Sequence, residues 1–282
     1  MRDLPASGLP FAKMHGAGND FVVIDLRGVS SPAGAVSPAL VAALADRHRG
    51  VGFDQLAVMT EAPGADLALT FFNADGSLSA ACGNATRCIA AEEMAKTGAA
   101  ALTLRTGFGL LRAEARAGGV AVNMGAPKTG WREIPLAEEA DTLSLPIDGA
   151  PVGTSMGNPH CTFFVKDAEA VDLGNLGPAI ERHPLFPERT NVQFVSLLGE
   201  DRLRMRVWER GTGLTLASGS STCAVVSAAH RRGLTGRRAE VVADGGTLGA
   251  DWRDDGIWLT GPTAHVFDGM LTPAFLAAVE TV

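Results

Sequence analysis

Ala81-Cys82-Gly83-Asn84 and, 136 residues further on, Ala217-Ser218-Gly219-Ser220 are the two stretches that decide how this chain folds. Each stands just ahead of an Ala-rich segment, Thr86–Lys96 in the first case and Thr222–Arg232 in the second. Gly98 and Gly233 are placed to end the two segments as helix C-caps. Arg231 and Arg232 fall in the last turn of the second, where positive charge suits the helix dipole. Both segments are apolar on most faces, which predicts buried helices.

Outward from these two points the chain repeats itself. Gly18-Asn19-Asp20-Phe21 reads like Gly157-Asn158-Pro159-His160, and Phe53-Asp54-Gln55-Leu56 like Asn191-Val192-Gln193-Phe194. Cys88 pairs with Cys223 and Gly98 with Gly233, each 135 residues apart, and Met124-Gly125-Ala126-Pro127 resembles Thr260-Gly261-Pro262. The matches keep chain order and nearly constant spacing. They imply two similar halves, at about 10–127 and 150–262, joined by a loop-like stretch from Lys128 to Pro151. A repeat of this length is a domain duplication and not a solenoid. Phe21–Asp25, Leu67–Phe72 and Leu102–Arg105 read as strands.

The predicted class is therefore α/β (α+β): two pseudo-symmetric domains, each a curved sheet or barrel wrapped around a central helix. Residues 1–127 form the first half and 128–267 the second, with the tail 268–282 a candidate to pack back on the first. Ligand sites favour domain interfaces, so the active site is expected in the cleft between the halves.

Composition narrows the function. The 282 residues suit two domains of roughly 130 residues each. The net charge of −7 comes with acidic and basic residues mixed along the chain, which argues against a nucleic-acid partner. No apolar run approaches the roughly 20 residues a membrane span needs, so no membrane partner is expected. Met1-Arg2-Asp3-Leu4-Pro5 lacks the apolar core of a signal peptide, and the expected location is cytoplasmic. The four cysteines Cys82, Cys88, Cys161 and Cys223 form no C-x-x-C pair, which argues against a structural zinc site.

Helix starts present unpaired N–H groups and partial positive charge, so they attract anions such as an α-carboxylate and favour a thiolate nearby. Glycine at the next position lets a ligand approach the backbone. Cys82-Gly83-Asn84 could thus hold a carboxylate and move a proton, although in isolation a buried cysteine beside a helix-start turn is the commoner reading. Asn73-Ala74-Asp75-Gly76, Gly157-Asn158-Pro159-His160 and Glu209-Arg210-Gly211 each read as turns on their own. Their recurrence at related places in both halves favours convergence on one cleft. Gly153-Thr154-Ser155-Met156-Gly157 matches a nucleophile elbow, but Pro159 and the strand-like Cys161–Val165 follow where that elbow needs a helix. No P-loop or dinucleotide fingerprint is present.

These segments together resemble the diaminopimelate epimerase family, whose fold is shared with proline racemases and the phenazine-biosynthesis isomerases. The resemblance rests on Lys13-Met14-His15-Gly16-Ala17-Gly18-Asn19-Asp20-Phe21, Gly52-Phe53-Asp54-Gln55, Phe72-Asn73-Ala74-Asp75-Gly76-Ser77, Cys82-Gly83-Asn84 with Arg87-Cys88, Gly157-Asn158-Pro159-His160, and Thr190-Asn191-Val192 leading to Glu209-Arg210-Gly211. It implies epimerisation of LL-diaminopimelate to the meso form in lysine biosynthesis, with no cofactor, no metal and a homodimeric assembly. It also implies two cysteines on opposite faces of the substrate α-carbon, one removing a proton and the other delivering one. Cys82 matches the first. By motif position Asn19, Gln55, Asn73, Gly83, Asn84, Asn158, Asn191, Glu209, Arg210, Gly219 and Ser220 match substrate-contacting residues. His160 and Glu209 match positions that assist the catalytic pair.

One position departs from the pattern. Ser218 stands where the resemblance implies the second cysteine. A serine hydroxyl is a far weaker acid than a thiol and needs a neighbouring base to act as one. The following residues also differ from the family's Cys-Gly-Thr-Gly-Ala-Cys habit, which points to a natural variant and not an isolated exchange. Cys223 is expected to be structural, as the counterpart of Cys88. Two other readings keep the fold: a hydroxyproline dehydratase-type enzyme or related racemase, and a non-catalytic amino-acid-binding paralogue.

Overall fold

The computed structural model describes residues 8–29, 35–79, 82–117 and 119–280; Ala81 of the first motif and residues 281–282 of the tail lie outside them. The chain divides into two compact units, one of residues 1–120 with 263–282 and one of residues 121–262.

The first unit opens with β1 (Leu9–Gly16) and β2 (Asn19–Asp25), an antiparallel hairpin. Its two-residue turn, Ala17-Gly18, has φ of 51° and 80°, the left-handed pair that matches the twist of a hairpin. Next come α1 (Pro38–Ala45), β3 (Gln55–Thr60), β4 (Leu67–Asn73) and the short return β5 (Leu78–Ser79). Then follow α2 (Gly83–Thr97), β6 (Ala101–Thr106) and β7 (Gly109–Arg116). β3 lies parallel to β2, and β6 parallel to β4. Parallel neighbours cannot be joined by a tight turn, so α1 and α2 serve as the two crossovers.

The second unit repeats this plan. β8 (Gly119–Asn123) leads across the linker to β9 (Val152–Ser155), β10 (Pro159–Phe164), α3 (Leu173–Glu181), β11 (Asn191–Gly199), β12 (Arg202–Glu209) and the short β13 (Gly213–Thr215). α4 (Gly219–Arg231), β14 (Arg238–Ala243), β15 (Gly246–Arg253) and β16 (Gly256–Thr260) follow. Again the parallel pairs are the second with the third strand of the repeat, β10 with β11, and the fourth with the strand after the long helix, β12 with β14. β17 (Ala264–Leu271) and α5 (Pro273–Glu280) end the chain.

The limits of the units differ from the sequence-based 127 and 267 because of where two strands pair. β8 joins β16 through Val122↔Leu259 and Asn123↔Trp258, while β17 turns back to pair along the whole of β1. From Thr263 onward the chain therefore belongs with its own beginning.

Each long helix lies against several strands. α4 packs on β9, β10, β11, β14, β15 and β16, and every residue from Ser221 to Ala229 is buried. α2 packs on β1, β6 and β7. Both begin three residues earlier than the sequence suggested, at Gly83 and Gly219. Gly98, at φ 74°, caps α2 and donates to the Met94 carbonyl. α1, α3 and α5 were not read from the sequence. α1 is capped by Ser37, whose Oγ accepts from Leu40 N, and it buries Leu40, Val41 and Leu44 in a cluster with Val22, Ile24, Leu56 and Val58. Phe275, Leu276 and Val279 of α5 pack against the same cluster. α3 carries Pro178 within it and lies on β11, β12 and β13. Among the described residues no helix is long and apolar enough to cross a membrane.

Candidate active site

Cys82 and Ser218 are the N-cap residues of α2 and α4. Their backbones nearly coincide, at φ −141°, ψ 100° and φ −138°, ψ 123°. Cys82 Sγ accepts from Ala85 N at 3.4 Å, and Ser218 Oγ accepts from Ser221 N at 3.4 Å. Thr86 and Thr222 then donate their hydroxyls back to the carbonyls of Cys82 and Ser218, at 2.8 and 2.9 Å. A cap of this kind supports a helix by about 1 kcal/mol. Serine and cysteine both make it, so the exchange at 218 leaves the frame intact and alters only the chemistry of the atom at its tip. Gly83 and Gly219 follow as the first helical residues, where the geometry of any helix leaves N–H groups without a carbonyl partner in the helix.

Around Cys82 the side chains form a directed chain. Arg87, fully buried, donates to Asn84 Oδ1 at 3.0 Å. Asn84 Nδ2 donates to Asn19 Oδ1 at 3.2 Å, and the Cys82 thiol points at the same oxygen at 3.7 Å. Asn19 Nδ2 donates to Asp54 Oδ2 at 2.9 Å. Asp54 and Asp20 exchange hydrogen bonds, each backbone N–H reaching the other's carboxylate. Arg47 bridges the two carboxylates, and Lys13 bonds Asp20 and the Gly52 carbonyl. Burial alone would raise the Asp20 carboxyl, but the hydrogen bonds from Arg47 and Lys13 hold it below its ordinary value.

The remaining polar residues of this unit gather on β3, β4 and β5. Gln55 and Asn73 are cross-strand neighbours, and Gln55 Nε2 reaches Ser79 Oγ at 3.0 Å and Asn73 Oδ1 at 3.4 Å. Asn73 donates to Ser77 Oγ. Asn73-Ala74-Asp75-Gly76 is the turn the sequence suggested, with Gly76 at φ 85° against the Pro38 carbonyl. Cys88 donates its thiol to the His15 carbonyl, and burial pushes its pKa up to about 11, consistent with a structural role.

In the second unit a different network reaches α4. His160 Nε2 lies 2.9 Å from Asn158 Oδ1, and Nδ1 lies 3.0 Å from Gln193 Nε2. An amide nitrogen only donates, so His160 Nδ1 is the acceptor and Nε2 carries the proton. Gln193 also donates to Ser221 Oγ and accepts from Thr162 Oγ1, so its amide is fully engaged. Burial, and then the positive charge of Arg210, lower the His160 pKa to about 3, and the ring is neutral. In this arrangement His160 holds Asn158 and both its nitrogens are occupied. Asn191 is likewise occupied at both ends, accepting from Arg210 N and donating to the Pro159 carbonyl. Thr215 donates to Glu209 Oε1 at 2.7 Å. The Arg210 guanidinium donates to the Glu188 carbonyl on an exposed face. Ser220 is the second residue of α4 and half-buried.

Sequence reading missed Asp54, Arg87, Gln193 and Ser221 as members of these networks. Gln55 and Gln193 were visible as a repeat pair, yet they bond different partners. Only strand register, such as His160↔Asn191 in the parallel pair, brings Gln193 beside Thr162. Ser155, the serine of the elbow-like pattern, ends β9 and is followed by β10, not a helix, so no elbow forms. Among the described residues no group of three or more His, Cys, Asp or Glu could hold a metal ion.

The sequence matches the family profile for diaminopimelate epimerase over residues 11–130 and 152–266. A diaminopimelate epimerase of Acidiphilium cryptum is 54% identical over 278 residues, which cover 96% of this chain and 99% of that protein. One from Rhodospirillum centenum is 49% identical, covering 94% and 93%. Among solved structures, a probable proline racemase from Agrobacterium radiobacter aligns with a TM-score of 0.66 at 17% identity, covering 94% of this chain and 93% of that one. A predicted epimerase from Pseudomonas aeruginosa gives 0.65 at 18%, covering 93% and 99%. These two likenesses are likenesses of fold.

Proposed function

The chain belongs to the diaminopimelate epimerase family, and on that premise we propose that it converts LL-diaminopimelate to the meso form, with Cys82 and Ser218 serving opposite faces of the α-carbon. What carries the reading is the matched pair of N-caps, a thiol at 82 and a hydroxyl at 218 on the same backbone frame. The first turns of α2 and α4 suit an α-carboxylate, since helix N-termini favour anions. Asn19, Asn84, Gln55 and Asn73 in one unit, and Asn158, Asn191, Glu209, Arg210, Gly219 and Ser220 in the other, are proposed to hold the substrate.

The roles at 82 and 218 are unequal in this proposal. The Cys82 thiolate takes the α-proton, and Ser218 can only donate or accept through a hydroxyl that neighbouring groups must assist. Glu209 is the residue proposed to assist it. His160, neutral and bonded at both nitrogens, is proposed to act as a positioning residue for Asn158. The reading extends to a cytoplasmic homodimer, which sedimentation of the purified chain tests.

The enzyme incubated with LL-diaminopimelate in D₂O should place deuterium at the α-carbon and yield meso product. Ser218→Cys should raise turnover by roughly 10²–10⁴-fold, the contribution of a well-matched proton-transfer group. Absence of exchange and product in both proteins at high concentration would sink the reading and favour a binding protein. A dehydrated product from hydroxyproline would instead favour elimination.

A further inference from the structure

The chain of side chains behind Cys82 has a direction that its two ends impose. A guanidinium can only donate and an ionised carboxylate can only accept. Arg87 therefore fixes which end of the Asn84 amide faces it, and Asp54 fixes which end of Asn19 faces it. With both ends set, Asn84 must offer NH₂ to Asn19, and Asn19 must turn its carbonyl oxygen toward the Cys82 thiol. Its middle is buried, with Asn84 2%, Cys82 6% and Asn19 9% exposed, and only the Asp54 end, its side chain 35% exposed, reaches solvent. The repeat-related Asn158 has a different partner, its oxygen accepting from His160.

We propose that Asp54 and Arg87 are positioning residues that fix the Asn19 amide with its oxygen on Cys82, so that the thiol proton has a defined acceptor there. The effect on turnover rests on the epimerase reading; the effect on the thiol does not. With Asp54 intact, a carbonyl oxygen faces the sulfur, which favours the protonated thiol. Without that carboxylate only Asn84 still orients the Asn19 amide, and the flipped amide presents NH₂, a donor that favours the thiolate.

The other charged groups bearing on this end of α2 are committed to partners, except that the His15 ring leaves its buried Nδ1 without a hydrogen bond. Lys13 of β1 and Asp20 of β2 bond each other, and Arg47 bonds Asp20 and Asp54. His15 of β1 meets α2 through its carbonyl, which accepts from Cys88. Of the other strands packed on α2, Arg105 of β6 donates to the Pro63 carbonyl, and Arg112 and Arg116 of β7 both pair with Glu114.

The test is a double-mutant cycle on Asp54→Asn and Asn19→Ala, read as the pH midpoint of iodoacetamide alkylation at Cys82 by peptide mass spectrometry. Asp54→Asn alone should lower the midpoint by about one unit. In the Asn19→Ala background the same substitution should shift it far less, because the amide that rotates is gone. Equal shifts in the two backgrounds mean that only a charge was removed, and no shift in either means no coupling; both results overturn the proposal. Circular dichroism checks that each variant folds. Should Asp54→Asn fail to fold, Asn84→Ala decides, since it leaves Asp54 in place, frees the Asn19 oxygen for the thiol and should raise the midpoint. A midpoint unchanged or lowered there overturns the proposal as well. In the epimerase assay Asp54→Asn should lower kcat by roughly tenfold or more with KM less changed. If neither the wild-type chain nor Ser218→Cys gives exchange, the epimerase reading fails and the alkylation cycle still decides this one. If it does exchange and the cycle is additive, this proposal fails and that reading stands.

Discussion

Residue 160 shows how far environment can move a side chain from its usual behaviour. A histidine in a motif invites a role in proton transfer, since its ordinary pKa lies near 6.5. Here the ring is wholly buried and stays neutral with a pKa of about 3. The unfolded chain binds a proton at His160 below about pH 6.5, and the folded chain does so only near 3. Folding stability from this residue is thus complete above about 6.5 and is lost as pH falls toward 3, by several kcal/mol in all. A urea titration from pH 7 to 4 should show that decline, and His160→Gln should flatten it. An equal slope in the variant would assign the acid sensitivity elsewhere, to carboxylates such as Asp20, whose lowered pKa makes it lose stability as pH falls below 4. The motif letters at 158 and 160 were legible in the sequence. The partner that fixes the histidine's tautomer, Gln193, was not, because it sits 33 residues away and meets the ring only through strand register.

At the scale of elements, the long helices and their strands could be read, and the shorter helices could not. α2 and α4 announce themselves by alanine content and by the glycines that follow them. Their first turns hide, since Gly83-Asn84 and Gly219-Ser220 are poor helix formers. α3 is weak for the same reason, with Gly174, Gly177 and Pro178 inside nine residues. It persists through contact with β12 and not through propensity. A Cβ at Gly177 would come within 2.6 Å of the Trp208 indole, which also bonds Glu181 at 2.7 Å. Gly177→Ala should therefore destabilise the chain by about 1–3 kcal/mol despite alanine's better helix propensity. A denaturant midpoint that rises on this substitution would show that α3 yields to the methyl group. The effect should stay local, since Leu173, Val192 and Phe194 belong to a cluster separate from the one under α1.

For the whole molecule, the duplicated plan was legible because its repeats hold their spacing over most of the chain. The boundaries were less so, because strand pairing ignores the repeat at β8 and β17. Ending the chain at Leu271 would remove α5 and strip Phe275, Leu276 and Val279 from the first core. Such a truncation should lower the melting temperature by several degrees, at about 4–8 °C per kcal/mol lost in a small domain. Ending it at Pro262 also removes β17 and leaves β1 with an unpaired edge, the kind of edge that recruits other chains. The longer deletion should therefore aggregate where the shorter one only softens, as light scattering would reveal. Return of the shorter form to full stability would place the first unit's integrity wholly in β1–β7.

The pairing of β17 with β1 also sets an order of events during synthesis. The strand that completes the first unit leaves the ribosome only after the whole of the second unit. The second unit can close as soon as its own residues emerge, while the unit begun first waits with an open edge until residues 264–271 emerge. A cell making this protein has to shield the edge of β1 for as long as the whole second unit takes to emerge.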